Sequence, residues 1–99
     1  MTIALLIHAP TGAALKRGRN NLLNLLKSEP NSKIELVANS EGALQALSTP
    51  DPEVDNFLVL CENSLKIANL VAPDEIRTVK AAILHIALRQ SEGWVYFRA

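Results

Sequence analysis

Cys61 is the single cysteine of the chain, and it stands where the strand-forming run Phe57-Leu58-Val59-Leu60 gives way to Glu62-Asn63-Ser64 and helix-forming sequence. A thiol at the end of a strand and the start of a helix faces unpaired backbone N–H groups and the positive end of the helix dipole. Both favour the thiolate, the nucleophilic form of cysteine. Glu62 works against this, because a neighbouring carboxylate disfavours a second negative charge. Cys61 is therefore the candidate catalytic residue, set against a plainer reading as a small apolar filler, which is common for free cysteines.

The residues able to shape a pocket around it come from three loops. Asn63 and Ser64 either hydrogen-bond a bound small anion, or cap the following helix. Asn39, Ser40 and Glu41, followed by Gly42, invite the same two readings, and an acid in a first helical turn needs no further purpose. His8 is the histidine placed to reach that edge, and a Cys–His pair is the usual way to activate a thiol. His85 falls within the apolar stretch of the last helix and reads as structural or as part of a subunit contact.

These loops must be held by the elements before and after them. Ile3 to Ile7 is a continuous apolar run, the mark of a strand covered on both faces. Thr11 is a helix cap, after which Leu15, Leu22 and Leu26 recur on one face until Pro30-Asn31-Ser32. Ile34 to Ala38 is a second strand and leads into a short helix with Leu44 and Leu47. Thr49-Pro50-Asp51-Pro52 is a turn, since two prolines so close exclude helix and ladder alike. Phe57 to Leu60 is a third strand, Ser64 to Leu70 a short helix, Arg77 to Val79 a weak fourth strand, and Ala81 to Gln90 an apolar helix. Gly93 closes that helix as a left-handed cap, and Trp94 to Arg98 forms a last short strand.

Alternation of strand and helix throughout predicts one α/β domain over residues 1–99 with a mostly parallel sheet of about five strands. In such a sheet the loops carrying His8, Asn39 to Gly42 and Cys61 to Ser64 share one edge. The length of 99 residues leaves too little for two cores. Hydrophobic residues at 48% with 20% charged place the chain among folded proteins. Ten basic side chains balance ten acidic ones, so there is no cationic surplus to favour nucleic acid or a membrane surface. No apolar run approaches the roughly 20 residues of a membrane span, and no leader pattern precedes the first strand. A cytoplasmic protein is expected, in which a lone thiol stays reduced. No cysteine–histidine spacing suited to zinc occurs, nor a Walker, dinucleotide, zinc-protease or serine-hydrolase motif, so neither metal nor cofactor is expected.

Four segments, in order and spacing over nearly the whole length, resemble the small DsrE-like proteins of the DsrE/F superfamily. They are Asn21 to Leu26, Ile34 to Asn39 with Glu41-Gly42, Cys61 to Lys66, and Leu88 to Tyr96. The resemblance implies a three-layer α/β/α fold, homo-oligomers and a role in intracellular sulfur metabolism. It implies that Cys61 carries sulfur as a persulfide between donor and acceptor proteins. A carrier takes part stoichiometrically, so this reading does not require an enzyme. The other reading is a non-catalytic oligomeric binding or regulatory module with a structural Cys61. The apolar last helix, followed at once by Trp94, Tyr96 and Phe97, points independently to a subunit interface.

Overall fold

The computed structural model describes residues 2–99. The first apolar run becomes β1 (Ala4–Ala9), and Thr11 caps α1 (Gly12–Ser28) by accepting a 3.0 Å hydrogen bond from Ala14 N–H. There follow β2 (Lys33–Ala38), α2 (Ser40–Ser48), β3 (Leu58–Cys61), α3 (Glu62–Ile67), β4 (Arg77–Val79), α4 (Ala82–Ser91) and β5 (Val95–Arg98). The five strands form one sheet in the order β4-β3-β2-β1-β5, and every pairing is parallel. The expectation of a mostly parallel sheet is thus met in full.

The strand order explains the layers. The chain steps outward from β1 to β4 and then returns across the sheet to place β5 beside β1. Leu15 and Leu22 of α1, Ala43 and Ala46 of α2 and Leu65 of α3 pack on Ile7, Ile34, Leu36, Leu58 and Leu60. Ala82 and Ile86 of α4 pack on the other face, against Leu6, Val37, Val59 and Cys61. The result is a single three-layer α/β/α domain. Alternation along the strands puts Cys61 under α4. The outward side of α4 does not take part: Ile83 is 77% exposed, Leu84 57% and Leu88 53%.

One side chain breaks the apolar pattern of the second core. Glu35 lies within β2, only 6% exposed, between the buried Ile34 and Leu36. Burying a carboxylate is costly unless opposite charge and hydrogen bonds replace water. Arg89 supplies a two-pronged contact, with Nε donating to Oε1 at 3.0 Å and Nη2 to Oε2 at 2.9 Å. His85 Nε2 donates to Oε1 at 2.7 Å and Arg77 Nη1 to Oε2 at 2.6 Å. Burial pushes the Glu35 carboxyl up, but the bonds from Arg89 and His85 outweigh it and bring its pKa down to about 2. Two of the three partners belong to α4, so this carboxylate ties the lone covering helix to the sheet. The Arg89 guanidinium also lies 4.8 Å over the Trp94 ring, where α4 ends.

Helix ends follow local chemistry. Gly93 adopts φ +93, and Gly93 and Trp94 N–H return to Gln90 and Arg89 C=O, which closes α4. Trp94 is spent on this closure, so β5 begins at Val95 and not at the tryptophan.

Because Glu35 has its pKa lowered on folding, its contribution is fully present above the ordinary value of 4.5 and is lost as pH falls through about 2. Urea unfolding followed across that window should show wild-type stability declining with acid. Glu35→Gln should lower the neutral plateau by roughly 3 kcal/mol and flatten the decline. Parallel profiles for the two proteins would contradict the role given to this carboxylate.

Candidate functional site

Cys61 is the last residue of β3 and the N-cap of α3. The helix therefore starts at Glu62, two residues earlier than the sequence pattern suggests. A second helix start meets it from the side, because Cys61 pairs with Val79 and α4 begins three residues on. Burial raises the thiol pKa, but backbone and side-chain donors of Ser64 and the N–H groups of Ala82 and Asn63 outweigh it, and the net shift is downward. The sulfur makes no side-chain cap bond of full geometry in this resting arrangement. Its bias toward thiolate comes from its position at two helix starts.

Ser64 holds a particular place in this arrangement. Its Oγ accepts a 2.7 Å hydrogen bond from Ser40 N–H, so its own hydrogen is free to turn toward Cys61. Ser40 reaches that position with φ +48, a left-handed conformation that is unfavourable for a non-glycine residue. A run of donors thus leads from α2 through Ser64 to the thiol. A cavity of about 250 Å³ lies between α2 and α3, lined by Ser40, Glu41, Leu44, Ser64, Ile67 and Ala68, with Ser64 common to it and to the surroundings of the thiol. Cys61 itself is 6% exposed and does not line it.

The other candidates divide by what they touch. His8 shares the sheet face of Cys61, but β2 lies between their strands. Its Nε2 donates to Asn39 Oδ1 at 2.8 Å, and its Nδ1 lies 2.6 Å from the Tyr96 hydroxyl. His8 is thus engaged with Asn39 and Tyr96 and not with the thiol. This group occupies the place where strand order reverses between β1 and β5, a usual ligand position in open α/β sheets. Asn39 is the N-cap of α2, yet its side chain serves His8 and caps nothing.

Gly42 has a structural reason to be glycine. A Cβ there would overlap the carbonyl oxygen of Ala9, so the start of α2 can meet the end of β1 only without a side chain. Glu62 turns to Thr78, whose Oγ1 donates to its Oε1 at 3.2 Å. Thr78 alternates with Arg77 and Val79, so that carboxylate lies on the sheet face opposite the thiol.

The sequence pattern missed Tyr96 as the partner of His8, Ala82 N–H as a donor near Cys61, and the Glu35 cluster. A signal existed for the last: an acid inside a strand buried on both faces demands cationic partners. His85 and Arg89 stand four residues apart, on one side of their helix.

No family model and no curated protein matches the chain. Among solved structures, it is similar to MTH1491 from Methanobacterium thermoautotrophicum, a protein of unknown function. The TM-score is 0.76 at 21% identity, covering 99% of this chain and 98% of that one. The likeness is one of fold.

Proposed function

We propose that this chain is a small sulfur carrier of DsrE-like type, holding a persulfide on Cys61. The observation that carries the reading is the place of Cys61, the last residue of β3 and the N-cap of α3, where donors of Ser64, Asn63 and Ala82 bias the thiol toward thiolate. The same N–H groups suit the anionic persulfide that a carrier must shelter. In the loading step, Cys61 thiolate attacks the outer sulfur of a donor protein's persulfide. A bond forms between Sγ and that sulfur, the donor's S–S bond breaks, and the donor thiol leaves with the electron pair as thiolate. No net oxidation occurs, and the transferred sulfur keeps its proton. Transfer to an acceptor thiolate repeats the step in reverse.

A second reading has its own support. Cys61 is 6% exposed, which favours a structural thiol in a binding module whose pocket is the cavity at Ser40, Glu41 and Ser64. Under either reading the protein works as a homo-oligomer. Ile83, Leu84 and Leu88 face outward on α4, and Val95 and Phe97 are exposed on the adjoining edge strand β5. No helix among the described residues is long and apolar enough to cross a membrane.

Sedimentation should give a multiple of the 10.8 kDa chain mass, and Leu84→Glu with Leu88→Glu should reduce it to one chain. A wild-type monomer at high concentration would refute the oligomer. Alkylation of native Cys61 followed against pH should report an apparent pKa below the free-thiol value of about 8.5, and Ser64→Ala should raise it. Incubation with a persulfide donor should add one sulfur atom to the wild type and none to Cys61→Ser by mass spectrometry. Alkylation limited by unfolding, with no sulfur adduct, would leave the binding module as the function.

A further inference from the structure

At the sheet edge opposite Cys61, where β2 and β3 begin, lies a cavity of about 300 Å³ between Arg77, the start of β2 and Trp94. That is the lower end of the range for small-molecule pockets. Its polar groups exceed what the fold uses. Lys33 is exposed on β2 and makes no ion pair among the described residues. Arg77 is 52% exposed and uses one nitrogen, Nη1, on Glu35, which leaves its other donors unpaired.

Charge and shape narrow the ligand. Lys33, Arg77 and Arg89 are three cations around two carboxylates, Glu35 and Glu92, with Glu92 bound to Arg89. Glu35 is itself satisfied by Arg89, His85 and Arg77, so one positive charge is left over for an anion. The apolar surface left to a ligand is the half-buried Trp94 indole, which Arg89 braces from one side. Inorganic phosphate would meet the cations but leave the indole uncovered. A planar organic acid would meet both, with its carboxylate on a guanidinium fork and its ring against the indole.

We propose that this cavity is a binding site for a small planar organic anion, an aromatic or conjugated monocarboxylate, held between Lys33 and Arg77 with its ring on Trp94. The site is separate from Cys61 and stands whether or not that thiol carries sulfur.

Trp94 is the only tryptophan in the chain, so tryptophan fluorescence reports a single position, in the cavity wall. Titration of the full chain with benzoate should give a saturable change, and benzamide, the uncharged isostere, should give none. Lys33→Ala removes an exposed side chain that no fold contact needs, and it should weaken benzoate by roughly tenfold, the loss of one charge-assisted contact. Arg77→Gln should weaken it at least as much, with circular dichroism and urea midpoint confirming that each variant is folded. A benzoate response that never saturates would overturn the proposal. So would benzamide binding as well as benzoate, an unchanged affinity in folded Lys33→Ala, or phosphate alone producing the same response.

Discussion

The structure depends on one buried carboxylate. Glu35 sits mid-strand in β2, the central strand of the sheet, where an unpaired charge would destabilise the fold by several kcal/mol. The hydrogen bonds it accepts from His85 and Arg89 fix the height and rotation of α4 on the sheet. The apolar part of that contact is small, with Ala82 and Ile86 as its buried residues from the helix. Two alanine- or isoleucine-sized contacts leave a short helix free to slide, whereas a two-pronged guanidinium–carboxylate pair does not. The ionic contact supplies register that the hydrophobic contact lacks.

That register reaches the thiol. The start of α4 brings Ala82 N–H toward Cys61 from one side, while α3 begins at Cys61 itself. The other face is held differently. Gly42 lets α2 close on Ala9, and Ser40 takes a left-handed conformation that brings its N–H to Ser64. Local backbone strain at Ser40 is thereby exchanged for an oriented hydroxyl beside the sulfur. The starts of α2, α3 and α4 thus meet at the sheet edge where α1 also begins, because every strand of the sheet runs the same way.

Most of the element pattern was legible because it rests on near neighbours. Ile3 to Ile7 reads as a strand covered on both faces, Thr11 as a cap, and Gly93 as a left-handed stop, and each does so in the structure. The shared edge of the His8, Asn39 and Cys61 loops followed from parallel order alone. What stayed hidden depends on distance along the chain. Glu35 meets residues 42, 50 and 54 positions away, and His8 meets Tyr96 at 88. The expected opposition of Glu62 to the thiol failed because side-chain direction, not adjacency, decides which charges interact. Thr78 draws that carboxylate to the other face. Ala82 was unreadable for a simpler reason: its contribution is a backbone N–H, which any residue but proline would carry.

The central claim is that Glu35, through α4, sets the environment of Cys61. Its most direct test is the apparent pKa of the Cys61 thiol in folded Glu35→Gln, measured by pH-dependent alkylation beside the wild type. Loosened from the sheet, α4 should withdraw Ala82 N–H from the sulfur, and the thiol pKa should rise while the Ser64 and Asn63 donors of α3 hold it below the unfolded value. An unchanged thiol pKa would show that α3 alone governs the sulfur and that the carboxylate serves only the packing of its helix.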